Sequence, residues 1–100
     1  MEIFDLKKME KGPDGKQKSK LLFEKDGIKL RTIILGPDER IPPCDMTSRV
    51  IFHVVEGSVD ITVNEETRCL REGFCIITEP ATISMRADNG SRLLGIQIPL

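Results

Sequence analysis

Side chains able to do chemistry are few in this chain, and histidine is the scarcest of them. His53 is the only one. Histidine is the commonest metal ligand and the commonest general base near neutral pH, so one subunit cannot build a multi-histidine metal site or a histidine relay. Sulfur is better supplied. Cys44 and Met46 are separated by one residue, which on a strand points both to the same side, and Met85 adds a third sulfur. Such a trio suits either irregular apolar packing or a soft ion of the Cu(I) type. Cys69 and Cys75 flank a turn over residues 70–74 and could meet across a hairpin. With an odd total and no CxxC spacing, the three cysteines read as reduced, buried side chains and not as a disulfide framework. Arg49, Arg86 and Arg92 are scattered over strands and turns, where solvation is the expected role. Glu79 is expected to face water.

The elements that must position these groups fit one domain of 100 residues, long enough for a core without covalent staples. The chain is 39% hydrophobic and 31% charged, with a formal net charge of −1. That balance excludes a collagenous or wholly disordered chain and argues against a nucleic-acid partner, which selects for basic excess. No apolar run reaches membrane-spanning length. The acidic start at Glu2 and Asp5 lacks the basic and apolar pattern of a leader. A cytoplasmic location with no membrane partner is the resulting expectation. Residues 7–20 hold six lysines against Glu10 and Asp14, a local charge of +4 that leaves −5 elsewhere. They lack apolar periodicity, so residues 1–20 are expected to form an N-terminal lysine-rich arm or edge segment. A helical turn near residues 2–9 is the most helix the pattern allows.

From residue 21 onward the pattern is that of strands. Residues 20–24 form a short apolar run closed by Lys25-Asp26-Gly27, a hairpin signal. Ile28, Leu30, Thr32 and Ile34 alternate with Lys29 and Arg31, the period of a half-buried strand. Gly36-Pro37-Asp38, Glu56-Gly57-Ser58 and Asp88-Asn89-Gly90 read as chain-reversing turns. Pro42-Pro43 removes two backbone donors and marks an edge or a strand entry. Residues 50–55 are apolar except for His53. In that strand Val50, Phe52 and Val54 share one phase, while Ile51, His53 and Val55 point the other way. His53 therefore belongs on an outer face, within an apolar strip suited to a second copy. Short strands separated by turn signals indicate a β-sandwich or small barrel.

The stretch from Gly36 to Gly57 resembles the first motif of the cupin superfamily, in which a glycine, a His-x-His pair, a glutamate and a closing glycine follow in order. Here the sequence runs Gly36, Cys44, Met46, Val50, Gly57. The second motif, a glycine, a strand, a proline and then a histidine, is similar to Gly73, Pro80 and Met85, with one extra residue between glycine and proline. Leu93-Leu94-Gly95-Ile96-Gln97-Ile98-Pro99 also resembles the last strand of small cupins. The likeness spans about residues 28–98. It implies an all-β, double-stranded β-helix or jelly-roll barrel of two packed antiparallel sheets over residues 21–100, in a homodimer. It also identifies Cys44, Met46, Val50 and Met85 as the positions where metal-binding cupins carry their ligands. None is histidine or glutamate, and Val50 has no donor atom at all.

The sequence thus predicts a ligand pocket walled by Cys44, Met46, Val50, Phe52 and Met85. The pocket needs no cofactor and no conventional metal, and its partner is a small molecule. The leading function is non-catalytic binding or sensing. The alternatives are a soft-metal site through Cys44, Met46 and Met85, or a metal-independent enzyme in which Cys44 is the inward nucleophile. A third possibility makes the lysine-rich arm the contact for an acidic partner.

Overall fold

The computed structural model of the chain describes residues 1–10 and 18–100. The expected arm therefore lies in part outside the described residues, at 11–17. Six strands follow: β1 (Ser19–Lys25), β2 (Ile28–Met46), β3 (Arg49–Val63), β4 (Glu66–Arg71), β5 (Cys75–Thr78) and β6 (Ala81–Ile98). Before them, residues 6–8 make a turn in which the Lys8 amide donates to the Asp5 carbonyl at 3.1 Å. Asp5 Oδ1 accepts from the Lys7 amide at 3.2 Å.

All pairings are antiparallel, in the order β1-β2-β6-β3-β4, with β5 on β3. The six strands form a single sheet, and among the described residues nothing pairs its outer strands to close it. This corrects the expected closed barrel and two-sheet jelly roll. Of the expected turns, Asp26-Gly27 does reverse the chain: φ is 54° and 81° at the two residues, the positive values that a two-residue hairpin needs. Gly36-Pro37-Asp38, Glu56-Gly57-Ser58 and Asp88-Asn89-Gly90 do not. The strands continue through all three, and β2, β3 and β6 become 19, 15 and 18 residues long.

The three false turns are where the long strands bend. Each has one residue in the left-handed region: Asp38 (φ 60°), Gly57 (φ 80°) and Gly90 (φ 94°). They lie side by side in the ladder, with Leu35 opposite Ser91 and Ser91 opposite Gly57. The result is a crease across the three central strands. The sheet folds over it, so that a leaf made of the first halves of β2 and β3 with the second half of β6 faces a leaf made of the opposite halves. Ile33, Leu35, Val50, Phe52 and Val54 from one side meet Val59, Ile61, Ile83, Met85 and Ala87 from the other.

Backbone crowding at the crease makes Gly57 the position most sensitive to a side chain. A Cβ there would sit 2.5 Å from the Gly90 carbonyl oxygen, whereas one at Gly73 (φ 88°) would meet nothing within 4 Å. Gly73→Ala should therefore cost only backbone strain, about 1–2 kcal/mol. Gly57→Ala adds a clash with rigid backbone and should cost about 3 kcal/mol or more. Urea denaturation of both variants checks the difference.

Candidate functional site

Folding over the crease leaves a cavity of about 310 Å³ on the concave face, at the small end of the range for small-molecule sites. Its near wall comes from strand halves whose register fixes what faces inward. Arg31 on β2 lies opposite Gly95 on β6, and Gly95 lies opposite Phe52 on β3. The next row along pairs Lys29 with Gln97 and Gln97 with Val50. Gly95 leaves space that the Phe52 ring uses: a Cβ there would lie 3.3 Å from Phe52 Cε1.

The far wall depends on a bulge. The register between β2 and β6 slips between Ile41 and Cys44, at Pro42-Pro43, where two missing amides make regular pairing impossible. After the slip, Cys44 lies opposite Ile83 and Met46 opposite Ala81, while Ile41 before it lies opposite Met85. Ile41, Cys44 and Met46 therefore all reach the cavity although they do not share one sequence phase.

Cys44, Met46, Val50, Phe52 and Met85 all line this one cavity, joined by Ser19, Arg31, Ile33, Ile41, Ile83, Gly95 and Gln97. Val50, Phe52 and Met85 are buried, Met46 is half-buried and Cys44 is exposed, so the cavity opens to solvent on the Cys44 side. His53 has the opposite phase: it pairs with Cys75 and Leu94 on the convex face, half-buried.

Cys69 and Cys75, like Cys44, are exposed, which corrects the expectation that the three cysteines are buried. Cys69 lies opposite Asp60, and Cys75 opposite His53. Partial loss of water and the hydrogen-bonded Asp60 carboxylate push the Cys69 thiol up, against the pull of Arg71. The three arginines singled out by sequence are engaged elsewhere. Arg49 donates to both carboxylate oxygens of Glu79, at 2.9 and 3.1 Å. Arg86 meets Asp38 and Asp88, at 3.6 and 2.6 Å, and Arg92 donates to the Met9 carbonyl.

The cation that does reach the cavity is Arg31, which sequence reasoning placed on the solvent phase of its strand. Two alternations compete there. Ile28, Leu30, Thr32 and Ile34 form one, and Arg31, Ile33 and Leu35 the other. The second faces the cavity and the core. The signal lay in Ile33 and Leu35, masked by the longer run on the other phase. Arg31 Nε donates to Gln97 Oε1 at 3.1 Å.

The donor set does not fit the metal that the cupin resemblance implies. Among the described residues no group of three or more His, Cys, Asp or Glu side chains could hold an ion. The cavity wall contributes sulfur and hydrocarbon at the corresponding positions. Iron, manganese and zinc sites of this kind use imidazole and carboxylate donors.

The sequence matches no family model and no curated protein. Solved structures align along most of its length. An RmlC-like cupin from Desulfovibrio desulfuricans superposes with a TM-score of 0.86 at 14% identity, over 100% of this chain and 99% of its own. The Thermus thermophilus protein TT1209 superposes at 0.79 with 22% identity, over 99% and 98%. The cupin domain of Schizosaccharomyces pombe Cnp3 superposes at 0.76 with 15% identity, over 85% and 67%. At these identities the likeness establishes the fold, and that fold is the cupin fold.

Burial separates the cavity residues by their structural cost. Met85 is 5% exposed and belongs to the core, so Met85→Ala should destabilise by about 2–4 kcal/mol. Cys44, exposed at the opening, should tolerate Cys44→Ala within about 1 kcal/mol. Thermal and urea unfolding of the two variants test this order.

Proposed function

We propose that this chain, a cupin by fold, is a small-molecule binding or sensing domain whose ligand occupies the creased sheet's cavity against Cys44, Met46, Val50, Phe52 and Met85. The observation that carries the reading is the character of the cavity. It is apolar, of ligand size and open at one side, with a few polar groups gathered at Arg31, Gln97 and Ser19. Concave apolar sites with few convergent polar groups are the usual form of a small-molecule site. The cavity wall includes Cys44, Met46, Val50 and Met85, the positions that the cupin resemblance implies for metal ligands, with side chains that favour packing against a ligand over activating one.

The protein's own methionines supply the test. Met46 and Met85 line the cavity, whereas Met1 and Met9 do not. In a protein carrying ¹³C-methyl methionine, indole should shift the Met46 and Met85 signals saturably and leave Met1 and Met9 in place. Unmoved Met46 and Met85 signals would count against binding. A second reading has one observation in its favour: the sulfurs of Cys44, Met46 and Met85 share this cavity. In the same assay, with Cys69 and Cys75 replaced by serine, Ag(I) would then shift the Met46 and Met85 signals with saturation at one ion per chain, an effect lost in Met46→Leu.

The working unit is proposed to be a homodimer formed through the convex face. There Ile77, Ile51, Ile96, Leu30 and Phe23 lie in one cross-strand row. Ile77 is 65% and Phe23 40% exposed in the single chain, an apolar strip of the kind that marks an interface. Sedimentation should give a dimer mass for the natural chain and a monomer mass for Ile77→Lys. A monomer in both would remove the dimer.

A further inference from the structure

Among the described residues, the cavity wall contains one ionisable group of fixed charge and no carboxylate to balance it. Arg31 is the only charged side chain among the described residues that line the cavity. No carboxylate among the described residues pairs with it. Its one hydrogen bond runs from Nε to Gln97, a neutral acceptor. This differs from Arg49, Arg68 and Arg86, each of which has an acidic partner on the surface. Gln97 fixes one edge of the guanidinium. Among the described residues nothing accepts from the Nη1 and Nη2 edge, and the Ser19 hydroxyl lines the same cavity.

A guanidinium held by one edge presents a planar pair of donors that matches a carboxylate. Next to hydrocarbon, the attraction between such a pair is screened less than in water. The remaining wall, including Ile33, Ile83 and Met85, offers only apolar contact. A doubly charged or strongly hydrated anion would lose its water against that wall without compensation.

Resting on the binding reading above, we propose that the cavity selects a small organic monocarboxylate. Its carboxylate pairs with Arg31, and its apolar body lies against the sulfur-bearing far wall. Arg31 sets specificity, and Gln97 is a positioning residue that acts through it.

Matched pairs of acid and neutral amide test this in the full-length protein, with hexanoate against hexanamide and benzoate against benzamide. Binding is followed by ¹H–¹⁵N spectra, in which the Gly95 amide reports on the cavity and the overall spectrum reports on folding. Each acid should bind roughly tenfold or more tightly than its amide. Arg31→Gln should abolish that difference and leave amide binding unchanged, and Gln97→Leu should reduce it. Equal affinity of acid and amide for the natural chain would overturn the proposal while leaving a binding cavity intact. An acid preference that survives in Arg31→Gln, or one read out near Arg49 or Arg86 instead of Gly95, would also overturn it. No binding of either member of either pair would overturn it together with the reading it rests on.

Discussion

Three backbones touch where β2, β6 and β3 bend, and the rest of the molecule depends on that contact. At the crease the Leu35 carbonyl lies 3.2 Å from where a Gly90 side chain would begin. The Gly90 carbonyl lies 2.5 Å from where a Gly57 side chain would begin. Strands in a sheet are about 4.8 Å apart, so a fold this sharp leaves no room for a Cβ on its inner side. Glycine solves two problems there at once. It accepts the left-handed backbone, and it has no atom in the space that the neighbouring strand needs. Among the described residues there is no helix, so the six-stranded sheet has no other layer there to cover its apolar face. Folding over the crease lets the sheet cover itself, which is how Val50, Val54 and Ile61 become inaccessible to solvent.

The cavity follows from the same bend together with register slips on β3 and β2. On β3 the inward residues are Val50, Phe52 and Val54 before the crease, and Val59 and Ile61 after it. The switch from even to odd numbers coincides with slips between Val54 and Glu56 and between Gly57 and Asp60. On β2 the Pro42-Pro43 bulge makes the opposite switch, from Ile33 and Leu35 to Cys44 and Met46. A one-residue slip exchanges the two faces of a strand. Without these slips the halves of each strand beyond them would turn their apolar residues to water. The proline pair places the sulfur wall even though neither proline lines the cavity.

The surface charges contribute differently. The Arg49–Glu79 pair, the Arg86 pairs and the Lys7–Glu72 contact all lie at exposed side chains, where ion pairs are worth roughly 0–1 kcal/mol. They trim edges and tie the N-terminal segment to the sheet but do not determine the bend. Arg31 is the exception because its surroundings are apolar and its partner is an amide. The outer face gives His53 neighbours of its own, Cys75 and Leu94, away from the cavity.

Much of this was legible in the residues. Alternation and turn chemistry identify an all-β chain, the Asp26-Gly27 hairpin and the phase of Val50, Phe52 and Val54. Glycines and prolines at spaced positions carry the likeness to cupins; Cys44, Met46, Val50 and Met85, at its ligand positions, lie along one cavity together with Phe52, which the strand phase adds. The rest was hidden for a physical reason. A positive φ at Gly57 or Gly90 is required equally by a reversal and by a crease. The local sequence states the conformation of one residue but not whether hydrogen bonding resumes beyond it with the same partner strand. Only the tertiary pairing of β2, β6 and β3 decides that, and it turned an expected pair of sheets into one folded sheet. The same holds for Arg31: with apolar residues on both phases of β2, nothing local says which face meets the core. The sequence by itself determined the strand-forming character, the scarcity of histidine and the sulfur at the site. Register and folding over the crease, which depend on contacts far apart in the chain, decided which charge enters the cavity.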